Sequence, residues 1–291
     1  MNAAVRAAPV GVFDSGVGGL SVLRHIRAQL PHEALLYFAD SGFAPYGDKP
    51  EAVVVARVLQ VVDFLLAQGV KALVVACNTA TVAAIAQVRA RHPGLPVVGV
   101  EPGLKPAAAQ SRKVGVLATD RTLAGEKFLQ LREQVSRSSG TDFVLQGCSG
   151  LVEHIERGEL DSPATRALLR QYLQPMLSAG VDTIVLGCTH YPFVSDAIRA
   201  EAAALGHPTI ALVDTGDAVA RQLGRLLREG ELSNPATVTG SLRAYTTGTA
   251  ASLHSAFHTL LGLDIAVQTR EPHSLAAAVE AEVLASPPQT L

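Results

Sequence analysis

The chain has 291 residues but only three cysteines, Cys77, Cys148 and Cys188. The number is odd and the spacing wide, so no disulfide framework is expected, and the count fits a reducing compartment. Metal-ligand spacings are also missing: neither CxxC nor HExxH occurs, so no metal site is predicted. The opening MNAAVRAAPV lacks the apolar run of a secretory signal. No stretch approaches the ~20 uninterrupted apolar residues of a membrane span. These absences predict a cytoplasmic protein with no membrane contact. Charge of one sign is not in excess either, with 24 Lys+Arg against 26 Asp+Glu for a net of −2. That balance argues against a nucleic-acid partner, which needs a basic surface, and any anionic ligand must be held by local groups. What the chain does have is apolar residues, 48% against 17% charged, a composition far from disorder. At roughly 150 residues per domain, the length suggests two cores.

Short apolar runs recur, each closing in a polar or glycine-bearing turn and followed by a helix-like pattern. Val10–Phe13 leads into DSGVGG, Leu35–Ala39 into DSGFAPYG, Ala72–Ala76 into CNTAT and Val97–Val100 into EPG. In the second half, Val114–Ala118 leads into TDRT, Thr183–Gly187 into CTHYP and Thr209–Val213 into DTGD. Nearly continuous, β-branched runs are how strands buried on both faces of a parallel sheet read. Helical patterns lie between them, for example over 50–68 and 163–179, and the alternation predicts an α/β fold with right-handed crossovers.

The two halves echo each other. VGVFDS at 10–15 resembles VGVLAT at 114–119, an offset of 104, and ALVVACNT at 72–79 resembles TIVLGCTH at 183–190, an offset of 111. LPVVGVEPG at 95–103 echoes HPTIALVDTG at 207–216, an offset of 112. Offsets this steady, in the same order, predict two pseudo-symmetric, doubly wound parallel-sheet domains arisen by duplication, with one small insertion. A helix over 218–230 and short strands at Leu242–Thr247 and Leu263–Val267 are expected to follow, and SPPQTL reads as a disordered tail.

In open parallel sheets, ligands bind outside the carboxyl ends of the strands. The distinctive polar turns sit at such ends: Asp14-Ser15, Tyr46-Gly47, Cys77-Asn78-Thr79, Thr119 with Thr122, and Cys188-Thr189-His190. If the halves face each other across a cleft, these turns converge on one pocket with a cysteine on each wall. Two opposed thiols suit the removal of a proton from one face of a carbon and the return of one to the other face. A thiol titrates near ~8.5 in isolation and lower beside a helix N-terminus or a cation. Cys77 opens a strand-to-helix turn, so its sulfur is placed to feel the positive end of a helix dipole. Cys188 has His190 two residues on, able to exchange a proton or, when charged, to stabilise the thiolate. Asp14 would repel a thiolate, so its work is to accept a proton or to hold a substrate ammonium.

Taken singly, either cysteine reads as a small buried hydrophobe. Finding both at strand ends, each followed by an amide or hydroxyl residue, points the other way. Cys148, in QGCSG, has no such context and is read as packing, and His25, His32 and His92 as solvated residues. The turn Gly16-Val17-Gly18-Gly19 lacks the last glycine of a dinucleotide fingerprint, Ser21 standing in its place, and Asp14 would repel a pyrophosphate. Its backbone N–H groups and the Ser15 hydroxyl are expected to face a substrate carboxylate instead. A pyridoxal enzyme needs a Schiff-base lysine. None of Lys49, Lys71, Lys105, Lys113 and Lys127 sits in these turns, so no cofactor is expected.

The segments FDSGVGGLSV, YFADSGFAPYG, VVACNTATVAA and LGCTHYPF resemble the glutamate racemases of the cofactor-independent aspartate/glutamate racemase superfamily. The likeness runs from about residue 10 to 220, and the CNTA plus GCTHYP pair is its most specific part. It implies interconversion of L- and D-glutamate, supplying D-glutamate for peptidoglycan. By motif, Cys77 and Cys188 become the catalytic acid/bases, with Asp14 assisting near Cys77 and His190 and Glu153 near Cys188. Asp14-Ser15, Tyr46-Gly47, Asn78-Thr79, Thr119, Thr122 and Thr189-His190 become the substrate-holding groups. The resemblance also implies a discontinuous first domain, 1–100 plus 213–291, around a second, 101–212, with the active site in the cleft between them, and a homodimer. Two sites, three residues in all, depart from the pattern: Phe43 stands where many relatives carry a polar or basic residue, and Asp120-Arg121 where smaller residues are expected in some branches.

Other readings of the same residues are a racemase of this superfamily acting on aspartate or another amino acid, and a non-catalytic amino-acid-binding domain that kept the cleft. A dithiol redox protein is a third, against which stand the 111 residues between Cys77 and Cys188.

Overall fold

All strand pairs among the described residues are parallel. The structure is a computed structural model describing residues 2–270, so the tail expected at SPPQTL lies outside the described residues. In chain order the strands are β1 (Val10–Asp14), β2 (Leu35–Ala39), β3 (Ala72–Val75), β4 (Val97–Gly99), β5 (Lys113–Ala118), β6 (Asp142–Gly147), β7 (Thr183–Leu186), β8 (Ala211–Val213), β9 (Leu242–Thr246) and β10 (Val267–Thr269). The helices are α1 (Ala3–Ala7), α2 (Leu20–Gln29), α3 (Glu51–Ala67), α4 (Asn78–Arg91), α5 (Leu104–Ala108), α6 (Asp120–Ala124), α7 (Glu126–Ser139), α8 (Leu151–Glu156), α9 (Pro163–Ser178), α10 (Ser195–Ala204), α11 (Gly216–Glu229) and α12 (Ala250–Leu261).

Parallel neighbours cannot be joined by hairpins, so a crossover helix returns the chain each time and covers a face of the sheet. Alternate residues of each strand then enter different cores. Val10, Val12, Tyr37 and Val74 pack with α2, α11 and α12, whereas Phe13, Phe38, Leu73 and Val75 pack with α3 and α4. The second sheet is covered in the same way, by α8, α9 and α10 on one face and by α5 and α7 on the other. Burial on both faces is the reason these strands lack polar alternation.

The first sheet has strand order β10-β9-β2-β1-β3-β4 and the second β6-β5-β7-β8. The four-strand pattern is therefore repeated, and β9 and β10 are added only to the first sheet. Register carries the repeat to the residue: Val10 pairs with Ala72, and Val114 pairs with Thr183, which reproduces the offsets of 104 (114 − 10) and 111 (183 − 72). The last strand differs from expectation. Leu73 pairs with Val97 and Ile184 with Leu212, an offset of 115 (212 − 97), where the sequence echo gave 112. β4 and β8 are three-residue edge strands, and their short apolar runs look alike at several alignments, so backbone pairing sets the register.

The strand expected at Leu263–Val267 begins only at Val267. α12 ends at Gly262 in the left-handed region (φ 65), and Leu263 and Ile265 pack against the core before the chain reaches β10. No helix among the described residues is long and apolar enough to cross a membrane. The chain leaves the first sheet after β4 and returns to it after β8, and the carboxyl ends of β1, β3, β5 and β7 face one cleft between the sheets.

Candidate active site

The cleft encloses about 350 Å³ and is lined by Cys77 and Cys188 together with every other candidate catalytic or substrate-holding residue except the buried Asp14. Cys77 follows β3 as the cap of α4, where its Sγ accepts the Ala80 N–H at 3.5 Å and lies 3.4 Å from Ser15 Oγ. Cys188 follows β7 but opens no long helix. Thr189 and His190 come next, then a 3₁₀ turn over Tyr191–Val194, Pro192 sitting in its first turn.

On the Cys77 wall, Asp14 ends β1 and is fully buried. It accepts the Gly16 N–H at 2.7 Å and, from the opposite domain, the Thr189 hydroxyl at 3.2 Å. Burial raises its carboxyl above the ordinary value, and the nearby His190 only partly offsets this. Burial and the Asp14 charge also push the Cys77 thiol up to about 12, despite the bonds from Ser15 and Ala80. The helix start thus moderates this thiol without producing a thiolate, because desolvation is the larger effect.

On the Cys188 wall, His190 Nδ1 lies 3.6 Å from Cys188 Sγ, and Nε2 lies 2.7 Å from Glu156 Oε1. Burial opposes a charge on His190, but the bonds to Cys188 and Glu156 outweigh it and hold the imidazole well above its usual value. Glu156 is lowered in turn: burial would raise it, and the His190 bond overrides burial.

Glu153 is expected to assist near Cys188; it lines the cleft, but the carboxylate that meets His190 on this wall is Glu156. α8 is a short helix anchored by Leu151 and Ile155. Glu156 at its last position meets His190, whereas Glu153 lies nearly a turn earlier, exposed on the cleft rim. The segment GLVEHIE offers two carboxylates three residues apart, and the buried pair Leu151–Ile155 is the signal that could have oriented the helix.

The glycine-rich turn also differs from expectation. Its Gly16 N–H is taken by Asp14 and its Val17 N–H by Glu156 at 3.1 Å, so neither faces a free carboxylate. The glycines serve close approach instead. A Cβ on Gly16 would fall 2.3 Å from Glu156 Oε1, one on Gly18 2.4 Å from His190 Nδ1, and one on Gly19 2.6 Å from Asp14 Cβ. Tyr37 steadies the turn by donating to the Gly16 carbonyl at 2.9 Å, and Ser21 donates to the Thr189 carbonyl at 2.7 Å.

Further groups shape the rest of the cleft. Asn78 is 5% exposed, and its Nδ2 has no partner among the described residues. A buried amide donor left unpaired is costly, and an acceptor bound in the cleft would satisfy it. Thr119 caps α6, accepting the Thr122 N–H at 3.3 Å, and the two hydroxyls lie 3.0 Å apart. The Tyr46 hydroxyl points away from ligand duty and donates to Asp40 at 2.7 Å. Asp40 also receives Arg57 at 2.7 and 2.6 Å and the Thr247 hydroxyl at 2.7 Å. This buried cluster pins the loop that presents Tyr46-Gly47, and sequence reading missed it because Arg57 and Thr247 lie in unrelated segments. Cys148 packs in the second core as expected and also reaches the cleft wall. Among the described residues, no group of three or more His, Cys, Asp or Glu side chains could hold a metal ion.

Residues 11–223 match the family described as Asp/Glu/Hydantoin racemase. A glutamate racemase of Cupriavidus pinatubonensis is 53% identical over 267 residues, covering 91% of this chain and 96% of that one. Among solved structures, glutamate racemase from Thermus thermophilus in complex with β-chloro-D-alanine superposes with a TM-score of 0.78 at 36% identity, covering 92% of this chain and 98% of that one. Glutamate racemase from Francisella tularensis in complex with D-glutamate gives a TM-score of 0.80 at 27% identity, covering 92% and 99%.

Proposed function

The chain belongs to the Asp/Glu/Hydantoin racemase family, and on that premise we propose that it interconverts L- and D-glutamate, with Cys77 and Cys188 as the two acid/bases and no cofactor. The observation that carries this reading is a pair of thiols lining one small cleft, Cys77 beside the Ser15 hydroxyl and Cys188 beside the His190 imidazole. One sulfur, as thiolate, takes the proton from Cα; the electron pair left on carbon then takes a proton from the other sulfur on the opposite face. In the reverse direction the roles exchange.

Around Cys77, buried Asp14 is the group placed to exchange a proton or to meet the substrate ammonium. Around Cys188, His190 lies 3.6 Å from the sulfur and is held well above its usual value by its bonds to Cys188 and Glu156. Each positioned acid–base group contributes about 10²–10⁴-fold. The unpaired Asn78 amide and the Thr79 and Thr189 segments are suited to a carboxylate, and Tyr46-Gly47, Thr119 and Thr122 to the other end of the substrate. The same reading places the protein in the cytoplasm as a supplier of D-glutamate for peptidoglycan. It treats 1–100 with 213–291 and 101–212 as two domains that each contribute one thiol, and it takes the protein as a homodimer.

The test is incubation of the purified protein with L-glutamate in deuterated water without cofactor. Deuterium at Cα and appearance of the D-enantiomer are expected. No exchange at glutamate overturns the proposal, and exchange at aspartate in its place redirects it to a different substrate.

A further inference from the structure

Arg121 holds a place in the structure that the reading of its turn did not foresee. It sits on α6 of the second domain, and its Nε donates to the Gly47 carbonyl of the first, across the mouth of the cleft. A second cation of the same segment repeats the arrangement: Lys127 Nζ donates to the Val82 carbonyl at 2.7 Å. Both acceptors lie on elements that carry proposed substrate-holding residues, Gly47 beside Tyr46 and Val82 in the helix opened by Asn78-Thr79.

The bond also divides space. Outside the cleft lies a groove of about 460 Å³, and the two cavities share Gly47, Thr79, Asp120, Arg121 and Thr122 as common wall. The bridge from Arg121 to Gly47 is thus part of the partition between them. The groove carries three carboxylates, Glu51, Asp120 and Glu126, and one cation, Arg121. An anionic amino acid is repelled by such a surface except where the guanidinium stands.

Building on the activity reading above, we propose that Arg121 is a gate residue: its bond to the Gly47 carbonyl closes the cleft against the outer groove, and on release the guanidinium receives the substrate carboxylate on its way in. It touches no reacting atom and acts on substrate exchange through the position of the Tyr46-Gly47 loop.

The experiment compares Arg121→Ala with the wild type in steady-state racemisation of each enantiomer and in the rate at which iodoacetamide alkylates Cys77 and Cys188 in resting enzyme. KM is expected to rise about tenfold for both enantiomers, the change corresponding to one charge-assisted hydrogen bond, with kcat within about twofold. Alkylation is expected to become several-fold faster. A folded variant with KM and alkylation both within twofold of the wild type overturns the gate, as does a fall in kcat at unchanged KM. Arg121→Met, which keeps the packing of the stem but removes its donors, carries the same test if the alanine variant does not fold. A wild-type protein inactive on glutamate overturns the activity reading instead, and the alkylation arm, which needs no substrate, still decides the gate.

Discussion

Cys77 and Cys188 occupy corresponding points of a repeated fold, 111 residues apart by the register of their strands, yet their surroundings differ in sign. The first is buried beside a carboxylate and held as a thiol up to about 12. The second lies against an imidazole that Glu156 keeps charged. The repeated strand pattern supplies two equivalent strand ends, and the turns after them make the surroundings of the two sulfurs chemically distinct. A reaction that must run both ways needs each sulfur to serve as acid in one direction and as base in the other.

The largest effect is expected from Cys77→Ala and Cys188→Ala, each reducing racemisation by about 10³-fold or more, measured by polarimetry. Retained turnover in either one breaks the two-wall comparison. Gly18→Ala comes next. Its added Cβ would fall 2.4 Å from His190 Nδ1, so the imidazole must move off Cys188, and kcat should drop about 10–100-fold with the protein still folded by circular dichroism.

Glu156→Gln should lower kcat about tenfold and move the alkaline limb of the rate profile to lower pH. The sign follows from the raised pKa of His190: the bond to Glu156 sustains its charge, so without that carboxylate the charge is lost at lower pH. Glu153→Gln should lose less, and the reverse order would return the His190 contact to Glu153. The smallest effect probes the other wall. Asp14 raises the Cys77 thiol by its charge, so Asp14→Asn should speed iodoacetamide labelling of Cys77 at a fixed alkaline pH by a few-fold and leave Cys188 unchanged. Slower labelling of Cys77 contradicts the stated role of that carboxylate.

The strands β1, β3, β5 and β7 were legible because burial on both faces leaves continuous β-branched runs, and the cysteine turns were legible because they end those runs. The offsets of 104 and 111 held because long central strands allow one register. That of the last pair did not, since three-residue edge strands carry too little pattern to align. Glu156 escaped because choosing between two carboxylates on one short helix depends on rotation about its axis, which only the apolar pair Leu151 and Ile155 marks in the sequence. Asp40, Arg57 and Thr247 escaped for a different reason: their cluster joins three segments up to 207 residues apart, and no local pattern marks such a meeting.

The turn Gly16-Val17-Gly18-Gly19 bears on evolution as well as on packing. After a gene doubles, its two copies drift independently wherever they do not touch. Here one copy lays bare backbone against the imidazole and carboxylate of the other, like a smooth journal running in its bearing. Any methyl added to the journal jams it, so at those few atoms neither half can change without regard to the other.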